Sequence, residues 1–594
     1  MSPLAEYQSR LSERRAVTER ETRLFRRVGN ARLAVGIVGV IMAFFAFGDI
    51  VISPQWLVIP LLVFCALIIV HSKVVDRLER ATRAAAFYER GIARLETRWM
   101  GRGETGDRFR NPAHVYQEDL DIFGKGSLFE LLCTARTRPG ENTLAQWLLA
   151  PATREVAAGR QQAVAELRSR LDLREDLAVL GDAVRSDMDP DRVAAWAESE
   201  PVAFPWGARL VAPILGAAVV LTFVLYMSRI WSRTPFLATL LVELSYGFLL
   251  GTKTLRVSSA VTSPSRDLAL FAKLLERLER ERFAAPLLES LRARLAASGL
   301  VASAQIGHLR RLVARMDWQR NIFFAPIAMA TLWGAQVAMA IERWRRISGP
   351  HVREWIAVAG EFEALFALAG YSYEYPRDPF PELAEVAEGW FDAADLGHPL
   401  MDDSQCVRNN LKLGGDLRLL IVSGSNMSGK STLLRAVGLN AVLAWAGAPV
   451  RATRLSISPL RLGASIRVLD SLQDGRSRFY TEITRLREIV GMSGGPIPAL
   501  FLMDELLSGT NSHDRRIGAS AIVRTLVDRG AIGMITTHDL ALAHIAEDLH
   551  GRAINVHFAD TLENSRLHFD YRLAPGVVER SNALDLMRSV GLEV

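Results

Sequence analysis

Cysteine is nearly absent: three residues in 594, Cys65, Cys133 and Cys406, far apart and with no C-x-x-C pair. That excludes a disulfide framework and gives no sign of a zinc site, and it suits a reducing compartment. A block of one-sign charge is also missing. The net charge is +6, but acids and bases are interspersed, which argues against a dedicated nucleic-acid-binding tail. No cleavable leader is expected, because the first apolar run follows some thirty residues rich in both Arg and Glu.

What is abundant is apolar sequence. Hydrophobic residues make up 49% of a chain too long for one core. Residues 1–30 read as a charged helix. "LAVGIVGVIMAFFAF" (Leu33–Phe47) and "WLVIPLLVFCALIIV" (Trp56–Val70) then form a hairpin over residues 31–71, each arm at the short end of the roughly 17–25 residues that span a bilayer. A second hairpin, residues 208–252, joins "LVAPILGAAVVLTFVLYM" (Leu210–Met227) to "PFLATLLVELSYGFLLG" (Pro235–Gly251). Its fourth run contains Glu243, a carboxylate that marks a polar contact inside the bundle or a water-accessible edge.

Arginines flanking the first hairpin place its ends in the cytoplasm, and a second hairpin keeps that side. A fifth apolar run, Ile322–Ile341, would put the rest of the chain outside as a span, so it is expected to be a buried soluble helix. The predicted topology is a multi-pass inner (cytoplasmic) membrane protein with four spans. In the soluble stretches 72–110, after the first hairpin, and 253–385, after the second, residues 73–99 and 266–298 show apolar residues at three- and four-residue spacing, the pattern of amphipathic helices. From about residue 386 to 594 short β-rich runs alternate with helical segments, as in an α/β domain with a mainly parallel sheet.

Chemistry concentrates in that last third. "IVSGSNMSGKSTLLRAVG" (Ile421–Gly438) is a strand, a glycine-bounded loop and a helix start that matches G-x4-G-K-S. Its glycines let backbone N–H groups approach phosphates at a helix N-terminus. Lys430 would lie along the β- and γ-phosphates of ATP, and the Ser431 hydroxyl would ligate Mg²⁺. "PALFLMDELLSGTNSHD" ends a strand in two carboxylates with separable tasks: Asp504 for the metal, Glu505 for polarising the attacking water. "AIGMITTHD" sets His538 at the end of another strand, within reach of the γ-phosphate.

"GSNMSGKST", "DGRSRF" followed by Glu482, "DELLSGTNSHDR" and "TTHD" together resemble the ATPase domain of the MutS family, a branch of the ABC-type ATPases. "LGHPL" around His398, "VRNNLKL" (Val407–Leu413) and "HFDYRLAPGVVERSNALDLMRSVG" extend the likeness. It implies a helical lever and core region followed by an α/β P-loop ATPase domain, to which the apolar runs add the transmembrane hairpins. Residues 111–207 would be the first part of the core and lever, and residues 253–385 the second. It also implies ATP and Mg²⁺ as ligands, contacts from Gly424, Asn426, Met427, Ser428, Gly429, Lys430, Ser431 and Thr432, and a homodimer in which Ser477 reaches the partner's nucleotide. DNA and another membrane protein are candidate partners.

The departures are as informative. The family's "GPNMGGKST" becomes "GSNMSGKST" and "THY" becomes "THD". Nothing before residue 110 resembles a mismatch-recognition domain, no F-x-E element stands in a suitable setting, and no connector domain or C-terminal dimerisation extension is expected. ATP hydrolysis carries over; mismatch recognition does not. An ABC-type transporter is disfavoured because "LSGGQ" is missing and "LLSG" follows the acidic pair. A non-enzymatic ATP-dependent scaffold would have no use for Glu505.

Overall fold

The order of elements follows from where apolar runs, caps and glycines fall along the chain. The computed structural model describes residues 2–48, 53–184, 189–296, 299–425, 428–467, 478–538, 540–563 and 566–577. They divide into two units. One comprises residues 1–134, 145–179 and 367–594, the other residues 135–144 and 180–366.

In the first unit, helix Pro3–Phe47 starts with Ser2 accepting a hydrogen bond from the Ala5 amide and with Pro3 in its first turn, a position that needs no N–H donor. It runs antiparallel to Val58–Leu95. Both helices continue unbroken through the change from charged to apolar sequence, because a helix satisfies its backbone bonds internally in either. Leu33, Val40, Phe44 and Leu61 are exposed on the apolar portions, whereas the polar ends are packed. There Tyr7, Leu11, Phe87 and Tyr88 form a core with Leu171 and Ala178.

The rest of this unit is the α/β domain. Its strands are β1 (Glu382–Leu383), β2 (Phe391–Leu396), β3 (Asn409–Leu413), β4 (Leu419–Ser423), β5 (Arg454–Ile457), β6 (Arg461–Ser465), β7 (Ala499–Met503), β8 (Ile532–Thr537), β9 (Ala553–Glu563) and β10 (Arg566–Pro575). A four-stranded mixed sheet has the order β1-β5-β2-β3. A six-stranded sheet has the order β10-β9-β4-β8-β7-β6, parallel except for β10. Every residue of β4, β7 and β8 is buried, which explains why they read as continuous apolar runs rather than as alternation.

The second unit is helical. Ala208–Met227 and Arg233–Glu279 pack together, and the latter runs on past residue 252 without a break. Its distal half buries Leu268, Phe271, Leu275 and Leu278, the helical spacing seen in the sequence. Among the described residues four helices are long and apolar enough to cross a membrane: Pro3–Phe47, Pro54–Leu95, Ala208–Met227 and Arg233–Ala269.

Residues 322–341 depart from expectation. They do not form one buried helix. Ala325–Met329 is a separate short helix begun by Pro326, which has no N–H for a helix interior. Leu332 then takes a left-handed conformation (φ 48°), and a long helix, Trp333–Glu374, starts after it. Ile322 and Phe323 are 81% and 88% exposed.

Candidate functional site

Parallel strands open their carboxyl ends on one edge of the sheet, and β4, β8 and β7 are neighbours in it. The phosphate loop leaves β4, the acidic pair leaves β7 and His538 leaves β8, so three distant motifs converge on one crest. Beside it lies a cleft of about 660 Å³ lined by Ser425, Gly429, Lys430, Ser431, Thr432, Asp504 and Glu505.

The loop's shape depends on two glycines. Gly424 has φ 150° and Gly429 has φ 96°, and a Cβ at Gly424 would come within 2.7 Å of the Ser428 hydroxyl. Lys430 opens helix Lys430–Ala446 and is buried, its Nζ donating to the carbonyls of Gly424 and Ser425 at 2.8 Å each. An ammonium has three protons, so one remains for an anion. Burial pushes the Lys430 pKa below the usual lysine range, and Glu505 and Asp504 oppose that shift.

The acidic pair is held in a chain of side-chain bonds. The Ser431 and Thr536 hydroxyls donate to the two oxygens of Asp504. Thr536 Oγ1 also accepts from the Glu505 amide at 3.0 Å. His538 Nδ1 lies 3.3 Å from a Glu505 carboxylate oxygen. Glu505 and Leu507 are both left-handed (φ 48° and 55°), an uncommon state for side chains with a Cβ. The turn is pinned by Thr536 on one side and on the other by buried Glu482, which accepts from the Leu507 amide at 2.6 Å.

The site residues expected from sequence are thus largely brought together. Gly424, Ser428, Gly429, Lys430, Ser431 and Thr432 form the loop and helix start, with Asp504 and Glu505 facing them. His538 meets Glu505 rather than lining the cleft itself. Asn426, Met427 and Ser477 lie outside the described residues.

Several contributors were missed. Thr536 is one of two threonines in "TTHD", and nothing in its type marks it as the residue that links the Asp504 carboxylate to the Glu505 amide. His398, Met401, Gln405 and Val407, from the connection between β2 and β3, and Tyr571 of β10 also line the cleft, and only the fold reveals it. Burial, helped by the nearby Arg435 guanidinium, pushes His398 down to about 4, and its Nδ1 accepts from the Leu400 amide at 3.2 Å. Asp119, far upstream, accepts from the amides of Ile466 and Arg467 at the end of β6.

The donor set fits a magnesium nucleotide. The Ser425 and Ser428 hydroxyls are buried with no hydrogen-bond partner among the described residues. With the spare Lys430 proton they make a cradle short of an acceptor-rich ligand. Among the described residues no group of three His, Cys, Asp or Glu could cage a metal. Mg²⁺ at phosphate sites needs no such cage, since one or two protein ligands, water and phosphate oxygens complete its shell.

Comparison with known proteins agrees with this geometry. Residues 420–593 match the sequence profile of MutS domain V. The chain is 35% identical over 203 residues to Endonuclease MutS2 of Thermus thermophilus, covering 33% of this chain and 25% of that one. It is 32% identical over 267 residues to DNA mismatch repair protein MutS of Natronomonas pharaonis (43% and 29%). Endonuclease MutS2 of Thermomicrobium roseum is 32% identical over 205 residues (33% and 24%). The aligned part spans about a quarter of the length of these relatives. This homology supports the MutS family and an ATP-binding domain of its type.

Proposed function

We propose that the protein is a membrane-anchored ATPase of MutS type that hydrolyses MgATP between two copies of its α/β domain. The observation that carries this reading is the chain Ser431–Asp504–Thr536–Glu505–His538 laid beside the phosphate loop. Lys430 and the backbone N–H groups at the start of Lys430–Ala446 hold the phosphates, and the half-exposed Tyr571 ring lining the cleft offers a face for a base. Ser431 and Asp504 hold Mg²⁺, which when bound supplies positive charge against the phosphate oxygens. Glu505 accepts the proton of the attacking water. His538 fixes the orientation of the Glu505 carboxylate, and Thr536 ties the Asp504 carboxylate to the Glu505 backbone. By the family resemblance, Ser477 of a second copy closes over the nucleotide.

Four apolar helices support an inner-membrane location with the ATPase domain on the cytoplasmic side, where ATP is. The relatives' names point to DNA as what the ATP-driven closure works on, while the likeness gives no support for mismatch recognition. The test is phosphate release and nucleotide retention by wild type and Glu505→Gln. The variant is expected to bind ATP, accumulate as a dimer and lose turnover by about 10²–10⁴-fold. Unchanged turnover in Glu505→Gln would remove Glu505 from the mechanism.

A further inference from the structure

We propose that residues 319–332 form a re-entrant membrane element, dipping into the cytoplasmic leaflet beside the second hairpin and returning to the same side. Its exposed Ile322, Phe323, Ile327 and Met329 face lipid acyl chains. The proposal rests on reading Ala208–Met227 and Arg233–Ala269 as spans.

The depth can be read from contacts within the helical unit. A Cβ at Gly216 would lie 3.0 Å from the Thr331 Cα, and one at Gly247 would lie 2.9 Å from Leu332 Cδ2. Gly216 is eight residues from the start of its helix at Ala208, about 12 Å at 1.5 Å per residue. Gly247 precedes Lys253, the first charge after the apolar run, by six residues, about 9 Å. Thr331 and Leu332 therefore sit about 10 Å inside the level at which both helices become polar.

Gln319 and Gly334, where the chain enters and leaves the dip, lie near that polar level. Trp318 and Trp333 stack with ring centroids 5.9 Å apart, and Trp333 Nε1 donates to the Arg315 carbonyl at 2.7 Å. A Cβ at Gly334 would meet both Gln319 Oε1 and, at 3.5 Å, Thr254 Cγ2. Amphipathic tryptophans beside exposed Arg310, Arg311, Arg315 and Arg320 suit a headgroup layer of anionic lipid.

Much of the backbone between residues 319 and 332 is bonded within the segment. The amides of Phe324 and Ala325 donate to the Asn321 carbonyl, and those of Ala328, Ala330 and Leu332 to Phe324, Pro326 and Met329. The Phe323 amide donates to Asn321 Oδ1, and Gln336 Nε2 donates to the Thr331 carbonyl. Internal bonds of this kind are what non-helical backbone at membrane depth calls for. The left-handed Leu332 is buried against the hairpin, where such a break is tolerated.

The test uses the full chain with Cys65, Cys133 and Cys406 replaced, a single Phe323→Cys labelled with bimane, and vesicles of phosphatidylcholine and phosphatidylglycerol. Ile214→Cys, exposed and six residues into its helix, is the control within a span. Ile322→Cys is a second reporter should Phe323→Cys disturb folding. Acyl-brominated lipids are expected to quench the labels at both 323 and 214, with aqueous iodide quenching neither. Iodide quenching at 323 alone would overturn the re-entrant element and leave the spans standing. Iodide quenching at both would overturn the span reading and the proposal with it. Protection at 323 from both quenchers, lost on dilution, would assign the surface to a second copy of the chain and overturn the assignment to lipid.

Discussion

At the residue scale, Thr536 gives the sharpest account of how the site is assembled. One hydroxyl donates to Asp504 and accepts from the amide of Glu505. Thr536→Val removes both links while keeping the shape of the side chain, leaving a carboxylate oxygen unpaired in the site. Steady-state kinetics should show kcat falling by about 10–100-fold with KM for ATP little changed, and Thr536→Ser restoring most of it. An equal loss in Thr536→Ser would mean that the methyl, not the hydroxyl, matters.

His398 gives a second test at this scale. In the unfolded chain its imidazole protonates near 6.5, and in the fold near 4. Between those values the unfolded state takes up the proton first, so the His398 contribution is complete above 6.5. It is lost as the pH falls toward 4, by up to about 3 kcal/mol. The difference in denaturation midpoint between wild type and His398→Gln should therefore change across that window and be constant above it. A difference independent of pH would show that His398 titrates normally in the fold.

At the scale of elements, the base of the first hairpin is fixed by an ion pair taken out of water. Arg94 forks onto Glu374 through Nε and a terminal nitrogen (2.7 and 2.5 Å), and the Glu374 side chain is 1% exposed. Tyr7 from the first helix donates to the same carboxylate at 3.3 Å. Truncating one partner strands the other charge, so Arg94→Ala should lower the stability of this unit by about 3–5 kcal/mol. Denaturation in detergent, followed by the fluorescence of an N-terminal reporter, measures it; a loss below about 1 kcal/mol would mean the pair is solvated.

The elements also show what could be read in advance. The phosphate loop, the acidic pair and the apolar strands β4, β7 and β8 were legible because each is a local pattern. The four apolar runs were legible as well, but not the continuity of Arg233–Glu279 past the fourth, since a helix backbone takes no notice of where apolar sequence ends. Ile322–Ile341 misled because its composition is that of a core helix. Its break is decided by Pro326 and by the conformation of Leu332, and a leucine gives no hint of a positive φ. Tyr571 and His398 became site residues only through the pairing of strands distant in sequence.

At the scale of the whole molecule, the proposed nucleotide cleft belongs to a chain that carries four apolar helices. If DNA is what the closure acts on, duplex or branched DNA should stay bound at physiological salt and respond to ATP. Binding seen only at low salt would be the nonspecific attraction expected of a chain with net charge +6. The most direct test is phosphate release by the full-length protein in phospholipid vesicles, compared with Lys430→Ala and Glu505→Gln. The account predicts Mg²⁺-dependent hydrolysis by wild type and a loss of about 100-fold or more in both variants. Wild-type release no faster than that of Lys430→Ala would contradict it.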